Sequence, residues 1–170
     1  MAERSHPLEV LEANFSLYAE HFKPEELMNT VWAFAELSRT SPLAEKHATQ
    51  IARSVARCAN NQLDFTLQQT VYFGWALARL YDISAVRSDT KVQPGFAKFK
   101  DLVVDQALPG VHELTTKNLA MICWAMAHLQ KVKSKRDVSS LLHRVGFDAM
   151  SRGLEKFLPG ELSSRRAAAG

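Results

Sequence analysis

The sequence predicts an all-α chain, an α-solenoid of antiparallel helix pairs with about three full repeats and partial units at both ends. Three observations predict it. All three tryptophans, Trp32, Trp75 and Trp124, sit in one recurring hexapeptide, Trp-Ala-x-Ala-x-Leu, 43 and 49 residues apart. Ten positions before each Trp stands an apolar residue, Phe22, Phe65 or Leu114. Between the copies lie segments with apolar residues at helical spacing, with no strand alternation and no Asn-Gly or Asp-Gly hairpin signal. Two helices recurring at such a period form a unit that buries its apolar face only against its neighbours.

The elements follow in order. A leading helix over about Leu8 to His21 carries Leu8, Leu11, Phe15 and Tyr18, and stands where the second helix of a preceding repeat would stand. The first Trp helix starts near Pro24, a residue suited to a first helical turn because its missing N–H has no partner there. Pro42 to Leu63 reads as its partner, with Ile51, Val55 and Cys58 on one side. The second Trp helix follows Phe65, then a loop over Asp82 to Gln93, then a helix from Pro94 to Gln106 with Phe96, Phe99, Val103 and Val104. The third Trp helix follows Leu114, with Thr115 and Thr116 as capping candidates, as Ser41 is for the Pro42 helix. Asp137 to Phe157 carries Leu141, Leu142, Val145, Met150 and Leu154. Phe157-Leu-Pro159-Gly-Glu-Leu162 matches Phe22-Lys-Pro24-Glu-Glu-Leu27 and reads as a fourth, cut or degenerate copy, with Ala167 at the Trp position. The approximate units are 1–21 (partial), 22–64, 65–113, 114–156 and 157–170 (partial), in a single helical-repeat domain over 1–170.

At 100° per residue, Leu27, Val31 and Phe34 share a core-facing arc, and the Trp is expected to fill a buried gap between repeats. A fully buried Trp replaced by Ala costs about 3–5 kcal/mol. The opposite face holds Glu25, Asn29, Ala33 and Glu36 in the first copy. Gln68, Tyr72, Ala76 and Arg79 are the second set, and Lys117, Met121, Ala125 and His128 the third. The alanine is small in every copy, which is expected to let another chain approach. The rows beside it vary. A constant scaffold with a variable polar row is the pattern of a reader that takes one base per repeat. Tyr72 is suited to stacking on a base, and Asn29 and Arg79 to bonding base edges or phosphate.

Charge supports an anionic partner. Net charge is +3, yet residues 1–85 hold 7 Lys and Arg against 10 Asp and Glu, and residues 86–170 hold 14 against 8. Lys131-Val-Lys133-Ser-Lys135-Arg136 follows the third Trp helix, and His143, Arg144, Arg152 and Lys156 follow on the next. Cations at a helix C-terminus are favoured by the helix dipole alone; as a set they also suit phosphate. The candidate RNA-binding residues are Asn29, Tyr72, Arg79, Lys117, His128, Lys131, Lys133, Lys135, Arg136, Arg144 and Arg152.

Other classes find no support. Seven scattered glycines make no phosphate loop, and His6, His21, His47, His112, His128 and His143 show no metal spacing. Cys58 and Cys123 read as small core residues. No apolar run approaches a membrane span, and MAERSHPLEV lacks the order of a secretory signal. Neither an enzyme nor a metal, cofactor or small-molecule substrate is expected.

The Phe-x-Pro-x-x-Leu-x-x-x-x-Trp-Ala-x-Ala-x-Leu pattern resembles the helical repeats of organellar octotricopeptide and heptatricopeptide proteins and those found beside RAP domains. The resemblance covers about residues 8–165. It implies paired antiparallel helices in a superhelix and RNA binding in mitochondria, with plastids as the alternative. It also implies work in RNA processing, stability or translation, including membership of mitochondrial ribosomes. The repeats here are longer than the family's usual unit, only three, and not followed by a RAP-like domain. A short array suits a fixed place in a ribonucleoprotein, so the expectation is a mitochondrial ribosomal component contacting ribosomal RNA and neighbouring proteins. The alternatives are a scaffold holding protein partners without RNA and a free organellar RNA processing or stability factor.

Overall fold

The structure is a computed structural model that describes residues 7–61 and 63–155. Among these residues it is all-α, with eight α-helices and no strand. The helices are α1 (Pro7–Tyr18), α2 (Pro24–Thr40), α3 (Pro42–Cys58), α4 (Leu67–Asp82), α5 (Ser84–Ser88), α6 (Gln93–Ala107), α7 (Thr116–Leu129) and α8 (Ser139–Glu155). Short 3-10 turns at Ala19–His21 and Val111–Glu113 lead into α2 and α7. The sequence copy starting at Phe157 lies outside the described residues.

The three Trp helices start at the same register, with the N-cap nine residues before each Trp. Thr66 Oγ1 accepts the Gln69 N–H at 3.3 Å while Gln69 Oε1 accepts the Thr66 N–H at 2.9 Å. This reciprocal pair satisfies two donors that a helix start leaves without partners. Thr115 Oγ1 accepts the Asn118 N–H at 3.2 Å. At Lys23, which has no acceptor, Glu26 reaches back instead and accepts the Lys23 N–H at 2.8 Å, with Pro24 next in line. One residue earlier the apolar anchor packs down: Phe65 and Leu114 are buried, and Phe22 is half-buried with its ring edge-on to Phe15 at 5.5 Å.

The Trp helices lie side by side in one row, α2 against α4 and α4 against α7. Helices α1, α3 and α6 likewise follow one another, and α2–α3, α4–α6 and α7–α8 pack across. The core fills the space between, from Leu27, Val31, Phe34, Ile51 and Val55 through Leu77, Phe96, Phe99 and Val103 to Ile122, Met126, Leu129 and Leu141, all essentially sealed from solvent. Each such side chain contributes about 1.5–3 kcal/mol relative to exposure. Phe73 joins the layers: its ring lies 4.8 Å from both Phe65 and Phe99.

Two elements differ from expectation. The partner of α2 ends at Cys58 rather than Leu63, where Asn61 turns aside and donates to Glu20 O at 2.8 Å. The stretch expected as a loop from Asp82 to Gln93 contains α5. Its Val86 is buried, and Asp89 just beyond it accepts from Arg53 Nε at 2.6 Å, so the segment is tied to α3. Five residues are too few for a periodic signal. One glycine sets the spacing of the second row. A Cβ on Gly95 would lie 2.4 Å from Ala56 O and 2.5 Å from Ala56 Cβ, so α6 meets α3 backbone to backbone.

Candidate nucleic-acid interface

Three helices that share one register and lie side by side bring equivalent residues together in rows. The Trp row is the clearest. Trp32 and Trp75 have ring centroids 6.4 Å apart, and Trp75 and Trp124 are 6.2 Å apart. His128 extends the line, its ring 3.8 Å from that of Trp124. The expectation that these tryptophans fill buried gaps does not hold. Trp32 is 40% exposed, and Trp75 and Trp124 are half-buried. Together they form an aromatic stripe across the surface of the row. The core positions between repeats are taken instead by the residue two places on, Phe34, Leu77 and Met126, each buried.

The alanine row is corrected as well. Gly74 faces α6 and α7, since a Cβ there would meet Val103 and Ile122. Ala76 lies about 200° further round the helix and is fully buried, on the side toward α2. Ala125 is fully buried in the same register. The small residue thus admits the neighbouring Trp helix of the same chain, not another chain. Only Ala33, on the first helix of the row, is exposed.

Polar groups line the stripe on both sides. Arg79 lies over two of its rings, with Cζ 5.8 Å from the Trp75 centroid and 5.5 Å from that of Trp124. Such contacts contribute about 0.5–2 kcal/mol. Its Nε–H is shielded from solvent and has no acceptor among the described residues. A buried donor without a partner is uncommon and costly. His128 Nδ1 donates to Trp124 O at 2.9 Å, which holds its ring against Trp124.

The structure brings most of the candidate residues to this face. Asn29, Tyr72 and Lys117 meet with Met28 and Trp32 around a hollow of about 300 Å³ on one side of the Trp row. On the other side, His128 and Lys131 join Tyr81, Asp82, Arg87 and Ala127 around one of about 200 Å³. Lys131 and Lys133 border the next, of about 410 Å³, beside Tyr81, Gln93 and Pro94. Arg87 belongs to this group although nothing in its own segment singled it out.

The basic loop is held in place by acid. Asp101 accepts the backbone N–H of Arg136 at 2.9 Å and of Lys135 at 3.3 Å, and the Arg136 guanidinium pairs with Asp105 at 2.8 Å. Beneath the loop, Lys100 is buried and donates to Val132 O at 2.8 Å; burial pulls its pKa below the usual lysine range. Lys131, Lys133 and Lys135 extend outward, exposed and without an ion pair among the described residues. Two candidates stand apart. Arg144 is exposed on α8, which packs on α7 at the far end of the row. Arg152 turns inward: it donates to Leu114 O and, at 3.0 Å, to His112 O, and pairs with Asp148 at 2.7 Å. It clamps the approach to α7, its guanidinium taken up by these three partners.

The cysteines divide. Cys58 is a core residue whose thiol is pushed up to about 11, chiefly by burial. Cys123 is half-buried, with its pKa raised by the same cause. Among the described residues no group of His, Cys, Asp and Glu could hold a metal ion, and no helix is long and apolar enough to cross a membrane. No protein-family model, curated protein or solved structure matches this chain.

Proposed function

We propose that this chain is an α-solenoid of antiparallel helix pairs that binds single-stranded RNA along the Trp32–Trp75–Trp124 stripe. The observation that carries the reading is the stripe itself. Every tryptophan of the chain occupies one repeat position, and the three rings touch in a line with part of their surface open. Sequence-tolerant binding of single strands needs aromatic faces for bases beside cations for the backbone, and stacking is worth about 1–3 kcal/mol per base. Arg79 and Lys117 lie beside the rings, and Lys131 stands next to His128 at the end of the row, with Lys133 bordering the adjoining hollow. Asn29, Tyr72 and His128 supply groups that differ from repeat to repeat.

The repeat pattern's resemblance to octotricopeptide and heptatricopeptide proteins leads us to place this chain in a mitochondrial ribosome, contacting ribosomal RNA. A second reading, a scaffold for protein partners, draws on Phe147 and Met150, which stand 59% and 69% exposed on α8. Titration with single-stranded RNA separates the two readings, because all intrinsic tryptophan fluorescence comes from the stripe. The RNA reading requires quenching that weakens with salt, by about 0.7 log per log of salt for each phosphate contacted. It also requires that reversal of Lys131, Lys133 and Lys135 to Glu flatten that slope. Unchanged fluorescence at saturating RNA would favour the protein scaffold.

A further inference from the structure

A second gathering of cations lies away from the stripe, where α3 meets α6. Two segments of matching spacing face each other there: Arg53, Ala56, Arg57 and Asn60 on α3, and Lys91, Pro94, Gly95 and Lys98 leading into α6. On a helix that spacing puts side chains on one face. The small residues meet in the middle, since a Cβ on Gly95 would lie 2.5 Å from Ala56 Cβ. Their contact forms the floor of a hollow of about 150 Å³, and the four long cations stand around it. Among the described residues no aromatic side chain and no carboxylate borders it.

The cations are only partly taken up. Arg53 donates Nε–H to Asp89, whose side chain is turned inward at 9% exposure while that of Arg53 stays 41% exposed. Asp89 is also held low by the charge of Lys91, so one carboxylate answers two cations. Arg57 donates to Glu20 at 3.1 Å and to Ser16 O at 2.6 Å. The Lys98 ammonium meets only the neutral side chain of Asn60. Positive charge is left over at a hollow with room for a phosphate and no ring to take a base.

The hollow is also not isolated. Pro94 borders both it and the hollow of Lys131 and Lys133. That one in turn shares Tyr81 and Lys131 with the hollow of Arg87 and His128, whose ring lies against Trp124. Three adjoining hollows thus carry cations from the end of the Trp row, past the start of α6, to the α3–α6 junction.

We propose that the α3–α6 hollow binds phosphodiester groups of an RNA strand, as the far end of a backbone track that begins at the stripe. The stripe takes bases and the track takes phosphates, which positions the strand without reading its sequence. The inference rests on the RNA reading given above.

Lys91→Glu combined with Lys98→Glu tests it on the full chain. Both lysines are exposed, and the Arg53–Asp89 and Arg57–Glu20 pairs stay in place, so the thermal melt should match wild type; Lys91→Gln with Lys98→Gln serves if it does not. Anisotropy of end-labelled oligouridylate reports binding anywhere on the chain, and tryptophan quenching reports the stripe. For a strand of about 20 nucleotides the reversal should flatten the slope of log affinity against log salt by about 1.4, two phosphate contacts at about 0.7 each, with saturating quenching unchanged. A strand of about 4 nucleotides, the low end of single-strand site sizes, should bind the variant as it binds wild type. An unchanged slope for the long strand would overturn the track, and intact quenching would leave the stripe standing. Equal losses for both lengths would mark a general field effect and overturn the track as well. Long-strand binding that weakens in the variant but never quenches wild type would keep the α3–α6 site and refute the stripe, and no anisotropy change with wild type would refute both.

Discussion

Gly95→Ala asks whether the second row of helices is in contact at the backbone. The new Cβ would lie 2.4 Å from Ala56 O and 2.5 Å from both Ala56 Cα and Ala56 Cβ. Carbon atoms rest at about 3.5–4.0 Å, so α6 must withdraw from α3 by roughly 1 Å. No flexible side-chain tip can absorb that, because the obstacle is α3 itself. Overpacking of this kind costs about 1–3 kcal/mol. The usual helical gain of Ala over Gly, about 0.5–1 kcal/mol, offsets part of it. For a chain of this length each 1 kcal/mol moves Tm by about 2–4 °C. Gly146 is the control, since nothing lies within 4 Å of its Cβ position on α8, and Ala there should stabilise. Gly74 is intermediate, its Cβ 3.0 Å from Val103 Cγ1. Thermal melts followed by circular dichroism should rank Gly95→Ala lowest, Gly74→Ala next and Gly146→Ala at or above wild type. A Gly95→Ala protein as stable as the Gly146→Ala protein would refute the α3–α6 contact.

Four further outcomes are expected. Trp75→Ala removes ring contacts to both Trp32 and Trp124, so urea melts should show about 1–3 kcal/mol lost, less than a fully buried Trp would cost, and RNA affinity should fall roughly tenfold or more. Cys58, with its pKa near 11, is about a thousandth thiolate at pH 8; mass spectrometry after alkylation should find Cys123 labelled first and Cys58 only on unfolding. Arg152→Met frees the His112 and Leu114 carbonyls and should destabilise by about 1–3 kcal/mol with RNA affinity unchanged once the protein is folded. Asp89, held low by the Lys91 N–H and Arg53, and Asp137, held low by Ser139, have folded pKa values below their unfolded 3.8. Their contribution is therefore complete above about pH 4 and fades as pH falls through the folded values; replacing either by Asn should cost the same stability at pH 8 as at pH 6 and less below pH 4, and a cost that changes between pH 8 and 6 would contradict the assignment.

Much of this architecture is legible from the Trp register alone. Periodicity places α1, α2, α4, α6 and α7 within a few residues, because each is amphipathic and begins at a Pro or a Thr. It gives α5 no signal, since five residues held by Val86 and the Arg53–Asp89 pair owe their shape to α3. The angular argument locates Leu27, Val31 and Phe34 correctly in the core but misplaces the tryptophans. Each Trp helix packs against a like neighbour and against the other row, so Phe34, Leu77 and Met126 take the buried gap and the larger indoles lie at its rim. The same crowding explains Ala76 and Ala125, whose small size serves the neighbouring helix. Arg152 reads as a free cation in the sequence because its partners, the His112 and Leu114 carbonyls, are backbone atoms some forty residues away.

The central claim is that the Trp stripe is an RNA platform, and ultraviolet crosslinking of the protein in its native complex tests it most directly, with crosslinked peptides and RNA both identified. The account predicts ribosomal RNA joined to peptides of α2, α4 and α7 that contain Trp32, Trp75 or Trp124, and to the Lys131–Arg136 loop. An intact, complexed protein with no RNA crosslink on those peptides would contradict it.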